Sequence, residues 1–323
     1  MTSVMQALVL DDELRLEQIA DPVPGPGEAL VAVRMAGICN TDLEIVRGYM
    51  GFSGVLGHEM VGVVEACPGD ASWVGRRVVA EINLACGRCE DCLRDLGRHC
   101  PKRSVLGILS RDGCMAERVA LPVGNLHAVP DGVPDETAVF LEPLAAAFEI
   151  LEQVTVPPDA RVLVLGDGKL GLLVTMVLRH TGSDLTLVGR HGSKLGIAED
   201  LGVQTALPHE LTDERYDIVV EATGSPDGLA EALRRVRPRG TVVLKSTFHG
   251  APEVDTARIV IDEIHLVGSR CGPFPPALRA LAHGRIDPRP LLEATYPLAD
   301  ALTAFEHASR PGALKIALGG GKP

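Results

Sequence analysis

Cys86, Cys89, Cys92 and Cys100 follow one another with the spacing Cys-x2-Cys-x2-Cys-x7-Cys, and Gly87 and Gly97 let the loop turn tightly enough to aim four sulfurs at one centre. Four thiolates close a tetrahedral zinc shell with no position left for water, so the array reads as a structural zinc site. An iron–sulfur cluster is the other chemistry that four thiolates support. Disulfides fit less well, because the start of the chain mixes charged and apolar residues and lacks the basic-then-apolar form of an export signal. Cys67, Cys114 and Cys271 stand apart and read as small buried hydrophobes. A second group is glycine-rich: Gly166-Asp167-Gly168-Lys169-Leu170-Gly171 follows an apolar run at 161–165 and opens an apolar helix. Placed between strand and helix, Gly-x-Gly-x-x-Gly lets the backbone approach a pyrophosphate and turns a helix N-terminus toward it, the chemistry of dinucleotide binding.

These groups need elements to hold them. With 323 residues the chain exceeds what one core usually supports, so two domains are expected. Short apolar runs at 29–35, 60–65 and 77–82, broken by Gly, Pro and Asp, predict a β-rich first domain. From residue 160 the rhythm changes, and strands at 161–165, 185–188, 217–222, 241–244 and 264–267 alternate with helical stretches. That pattern predicts a doubly wound parallel sheet. A helix at 144–154 is expected to cross from one domain to the other. A helix at 299–308 and a strand at 313–318 are too little for a third domain and are expected to return to the first. The fold class is therefore α/β, with a β-rich domain over 1–147 and 287–323, a dinucleotide domain over 148–286, and a cleft between them. The charge of −12, with no basic run, argues against nucleic acid or an anionic membrane as partner. No apolar stretch reaches the roughly 18 residues of a membrane span, so a cytoplasmic protein with a small-molecule partner is expected.

The thiol array, set after Gly37-Ile38-Cys39-Asn40-Thr41-Asp42 and Gly57-His58-Glu59, resembles the zinc-dependent medium-chain alcohol and polyol dehydrogenases over essentially the whole chain. The resemblance implies a GroES-like catalytic domain, a Rossmann domain, two zinc ions per subunit, and a homodimer or homotetramer. It assigns Cys39 and His58 to a catalytic zinc. The third ligand falls on Glu142, within Phe140-Leu141-Glu142-Pro143-Leu144, which resembles the acidic version in polyol, glucose and threonine dehydrogenases; Glu59 is its rival. Thr41 matches the family's hydroxyl that touches the substrate oxygen, and a hydroxyl can both donate and accept. Many members carry histidine three residues further on, where this chain has Glu44, as in the glucose dehydrogenases. Glu44 is expected to pass a proton, to bond a polar substrate, or to be an exposed carboxylate with no part in the chemistry.

The resemblance also aligns the cofactor loops. Lys194-Leu195 matches the family's Lys-Leu pair, and counting back sets Gly189 where NAD-binding members carry a ribose-gripping acid. Arg190, His191 and Lys194 surround that glycine and leave no carboxylate there to repel a 2′-phosphate, so NADP(H) is expected over NAD(H). Thr223, Ser246 and Arg270 match family positions beside the cofactor; Arg270 and Lys315 are candidates for its phosphates and equally for interdomain salt bridges. The expected activity is hydride transfer between NADP(H) and a secondary alcohol such as a polyol, sugar or cyclitol. Two other readings stand beside it: the zinc-free quinone or enone reductases of the same superfamily, and a non-catalytic nucleotide-binding redox sensor built on the thiol array.

Overall fold

A computed structural model describes residues 3–247 and 254–319. Its contacts divide the chain into two compact units, Met1–Glu142 with Phe274–Pro323, and Pro143–Pro273. Among the described residues no helix is long and apolar enough to cross a membrane.

The first unit is built on a sheet in the order Leu126–Ala128, Arg77–Ala80, Glu59–Ala66, Glu28–Ile38, Lys315–Gly319, Leu292–Tyr296, with Arg118–Pro122 also paired to Glu28–Ile38. Strand Glu28–Ile38 is the spine, and its last residues have partners on both sides: Gly37 lies opposite Glu59 on one neighbour and Ala317 on the other, and Ile38 lies opposite Ile316. One end of the sheet therefore gathers residue 39, residues 58 and 59, and Lys315, which are far apart in sequence. The strand Lys315–Gly319 is tied to the sheet by the helix Ala301–Ala308. Its buried Ala301, Ala304, Phe305 and Ala308 recur at helical spacing and form the face that packs on that strand. Tyr296 Oη lies 2.9 Å from His307 Nδ1, His307 Nε2 lies 3.0 Å from Glu293, and Glu293 accepts the Leu314 N–H at 2.7 Å. That chain of bonds fixes the backbone immediately before Lys315. A separate hairpin, Asn83–Leu84 with Ser104–Val105, closes the loop that carries the four cysteines.

The second unit is a six-stranded parallel sheet. Its order is Gln204–Ala206, Asp184–Val188, Arg161–Leu165, Tyr216–Glu221, Val236–Leu244, His265–Gly268, which is 3-2-1-4-5-6 along the chain and matches the dinucleotide-binding order. Arg161–Leu165 is buried along almost its whole length, as a central parallel strand must be. Leu163, Val219, Val242, Leu229, Leu233 and Ile264 form part of one core cluster under this sheet. Among the described residues, the strands not named from the sequence include Val4–Leu10, Leu14–Ala20, Arg118–Pro122 and Leu126–Ala128, and also Gln204–Ala206 and Leu292–Tyr296, which are short and lack an unbroken β-branched run. The helix expected at 144–154 is Leu141–Gln153.

Candidate active site

The four cysteines of the array are free thiols whose sulfurs lie within 4.8 Å of one another. Sγ of Cys89 is 3.4 Å from that of Cys92 and 3.7 Å from that of Cys100, and Cys86 is 3.9 Å from Cys92. Zinc–sulfur bonds of about 2.3 Å in a tetrahedron require sulfurs roughly 3.8 Å apart, so the set fits that ion without rearrangement. The turns come from the short helix Glu90–Leu93 and the positive φ of Gly87 and Asp95. The Arg88 N–H, acting against desolvation and helped by that of Cys89, lowers the Cys86 thiol pKa, whereas at Cys89 the Cys92 N–H is outweighed by the neighbouring sulfurs, which push the thiol up.

A second donor set stands at the end of the central sheet: Cys39, His58 and Glu59, also within 4.8 Å of one another. Cys39 follows the last residue of the spine strand and caps the helix Asn40–Val46, its own N–H bonded to Asp42 Oδ2 at 2.8 Å. The other oxygen of Asp42 lies 3.2 Å from His58 Nδ1, close but off hydrogen-bond alignment. One fully buried carboxylate thus bonds the Cys39 backbone and lies beside the His58 ring, the side on which carboxylates orient metal-binding histidines. Burial works against a charged ring, but Asp42 and then Cys39 outweigh it and hold the His58 pKa well above the usual imidazole range.

Glu59 is fully buried, and its Oε2 pairs with the ammonium of Lys315, which also donates to Ile38 O at 3.3 Å. Burial would lower the lysine pKa; Glu59, with Cys39 behind it, outweighs that and keeps Lys315 charged. Gly37 is required here, since a Cβ at that position would sit 2.2 Å from Glu59 Oε2. The second oxygen, Oε1, is buried and has no hydrogen-bond partner among the described residues. Leaving such an atom open costs about 1–3 kcal/mol, and a cation held with Cys39 and His58 would satisfy it, so the donor set fits a metal.

The other expected residues are placed as follows. Thr41 Oγ1 is 3.7 Å from Cys39 Sγ. Glu44 accepts from Arg47 at 2.7 Å and is about one-third exposed. Glu142 stands in the first turn of Leu141–Gln153 and is not among the three donors that come together, although it was the expected third ligand ahead of Glu59. Strand register accounts for the placing of Glu59, which sits directly across from Gly37, two residues before Cys39. Cys114 is buried near Glu59, its Sγ 3.7 Å from the Glu59 carbonyl, and burial pushes its thiol pKa up. Lys315 binds Glu59 within its own unit. Asp42 and the Glu59–Lys315 pair escaped the sequence reading, although the three-residue step from Cys39 to Asp42 is a capping-box spacing that was there to be used.

In the second unit Gly166 has φ +113° and abuts the Ala222 carbonyl, and a Cβ on Gly171 would lie 1.9 Å from Gly166 O. Gly168, by contrast, caps the helix Lys169–Leu178 and has nothing within 4 Å of its Cβ position. Two glycines thus pack the turn and the third leaves room over a helix N-terminus, as a pyrophosphate site requires. At the end of the fourth strand, Glu221 Oε1 accepts the Thr223 N–H at 2.8 Å and its hydroxyl at 2.6 Å, and the Ser246 hydroxyl at 3.3 Å. Lys245 is buried and donates to Ala146 O, Ser269 Oγ and Arg270 O. Arg190, His191 and Arg270 are exposed, whereas Lys194 is buried. One expectation is corrected: the turn at Gly189 does contain a carboxylate. It belongs to Asp167, whose Oδ2 accepts the N–H groups of Arg190 and His191, both at 2.7 Å. The glycine motif hides it, because residue 167 is one of its unspecified positions.

A parallel sheet of dinucleotide-binding order in one unit and two metal donor sets in the other define the two-unit, metal-using dehydrogenases as a class. Comparison with known proteins agrees: residues 25–131 match the alcohol dehydrogenase GroES-like domain and residues 170–283 match the zinc-binding dehydrogenase domain. D-altritol 5-dehydrogenase of Agrobacterium fabrum is 31% identical over 90% of this chain and 92% of its own. An alcohol dehydrogenase of E. coli CFT073 in complex with NADH superimposes with a TM-score of 0.92 at 26% identity, covering 98% of this chain and 100% of that one. A zinc-binding dehydrogenase from Sinorhizobium meliloti 1021 bound to NADP gives 0.90 at 25% identity, with the same coverage. The chain belongs to the zinc-dependent medium-chain alcohol and polyol dehydrogenases, and is an oxidoreductase acting on hydroxyl compounds with zinc and a nicotinamide cofactor.

Proposed function

We propose that this enzyme moves a hydride between a secondary alcohol of a polyol, sugar or cyclitol and NADP(H), using two zinc ions per subunit. The observation that carries the reading is the set of half-buried Cys39 with buried His58 and Glu59 beside Thr41. A polyol-type substrate is supported by relatives that include a D-altritol 5-dehydrogenase and a sorbitol dehydrogenase. Cys39 and His58 hold the catalytic ion, and Glu59 is the third donor that the geometry offers, with Glu142 as its alternative. A zinc ion there supplies Lewis-acid polarisation of a substrate oxygen. Thr41, whose hydroxyl lies by Cys39, is placed to accept the proton of a substrate hydroxyl and pass on its own. Glu44, partly exposed and bonded to Arg47, is available as the next acceptor toward solvent. Thr223, Ser246 and Arg270 serve the cofactor together with the glycine loop. The NADP(H) preference is supported by Gly189, which carries no acid, and by the exposed side chains of Arg190 and His191.

A panel of polyols, sugars, cyclitols and simple alcohols, followed at the nicotinamide absorbance with NADP+ and NAD+, tests this directly. The expected result is highest kcat/KM on a polyhydroxy secondary alcohol with NADP+. Zinc-loaded protein without turnover on any alcohol would point to the sensor reading instead. The thiol array is expected to be structural: Cys100→Ser should lower zinc content from two ions per chain to one. The thermal midpoint should fall by about 5–10 °C, since metal binding there is folding energy. Unchanged metal content by mass spectrometry would refute the second zinc. The enzyme is proposed to be a cytoplasmic homodimer or homotetramer; light scattering of the purified protein decides the oligomeric state.

A further inference from the structure

We propose that Asp167 is a positioning and specificity-determining residue of the dinucleotide site, shaping the turn after Asp184–Val188 so that Gly189 can carry no acid and Arg190 and His191 are presented to the 2′ end of the cofactor. The proposal rests on the dinucleotide reading above and deepens it.

Position 189 and the side chain of residue 167 compete for the same space. A Cβ on Gly189 would lie 2.3 Å from Asp167 Cβ and 2.5 Å from both Cγ and Oδ2, closer than any non-bonded contact tolerates. Within the protein Asp167 has already taken the seat from which an acid at 189 would reach a ribose. Its carboxylate is not offered to solvent in that acid's place, since the residue is 7% exposed. Instead it is turned onto the turn itself: Oδ2 accepts the N–H groups of Arg190 and His191, and His191 Nδ1 lies 3.0 Å from Oδ2 and 3.2 Å from Oδ1. Hydrogen bonds to an ionised acceptor are the strong kind, and two adjacent N–H groups converging on one oxygen fix the backbone at both residues. The buried charge is thereby compensated, while the side chains of Arg190 and His191 remain exposed. A guanidinium carried on a backbone fixed in this way can fork onto a phosphate. The arrangement lies wholly within the Pro143–Pro273 unit.

The test uses the full-length, zinc-loaded protein and titrates NADP+ and NAD+ calorimetrically against four variants. Asp167→Ala frees the turn and is expected to weaken NADP+ binding about tenfold in the titration, with steady-state rates showing the loss on KM rather than kcat. Asp167→Asn keeps one acceptor oxygen and should recover part of it. Gly189→Asp alone should lower thermal stability because of the overlap, and Asp167→Gly combined with Gly189→Asp should restore stability and shift binding toward NAD+. Equal dinucleotide affinities in wild type and Asp167→Ala, or no stability rescue in the double variant, would overturn the proposal. A rise in NADP+ over NAD+ affinity in Asp167→Asn would overturn it too, since the carboxylate would then face the cofactor and repel it. Wild-type protein that binds neither dinucleotide would overturn the cofactor reading itself, an outcome distinct from equal affinities in wild type and variant.

Discussion

Cys39→Ser is expected to abolish turnover, by about 1,000-fold or more in kcat/KM, while dinucleotide affinity stays within about twofold. A serine hydroxyl is not anionic at neutral pH and is a poor donor to zinc, so the change removes a ligand while hardly altering side-chain volume. Several kcal/mol of transition-state stabilisation depend on a correctly held ion, and each 1.36 kcal/mol is a factor of ten in rate. The fold should survive, because the Cys39 bond to Asp42 uses the backbone N–H and persists in the variant. Binding should survive as well, because the glycine motif and the Gly189 turn belong to the Pro143–Pro273 unit. Steady-state rates and a calorimetric titration of NADP+ read the two effects separately. Equal loss of rate and of affinity would mean that Cys39 is not a ligand.

How much of this was legible in the sequence depends on how local each feature is. The thiol array and the glycine loop are runs of neighbouring residues in which spacing alone decides geometry, and the structure forms both where the sequence puts them. The strands of the parallel sheet are apolar enough to read by eye, except Gln204–Ala206, which is three residues long and held by its partner. The catalytic cluster is a different case. Cys39 and His58 are nineteen positions apart, and only the antiparallel register of Glu28–Ile38 with Glu59–Ala66 brings them together, which no local pattern encodes. Lys315 is further still, and its arrival beside Glu59 depends on a strand that joins the sheet from the far end of the chain. Asp167 was missed for the opposite reason: it lies inside a motif that was read, at a position the motif leaves free. Its partner Gly189 was noticed for what it lacks, whereas its physical cause is the neighbour that fills the space.

Lys315→Met should cost about 3–5 kcal/mol in metal-free protein, measured by urea unfolding after chelation, because it strands the Glu59 carboxylate in a fully buried site. Methionine keeps the apolar stem and its place near the Phe140 ring, so the loss isolates the charge rather than the packing. Adding Glu59→Gln should recover most of it, since a neutral pair leaves no unbalanced charge; a double variant as unstable as the single one would show that Lys315 acts through shape. The same variant decides the third ligand. Glu59 Oε2 is committed to Lys315 and Oε1 is open, so an ion reaching Oε1 would compensate the carboxylate after the lysine is gone. The loss should then be clearly smaller in zinc-loaded than in stripped protein. Equal losses in the two states would place the third donor elsewhere, with Glu142 the first residue to replace.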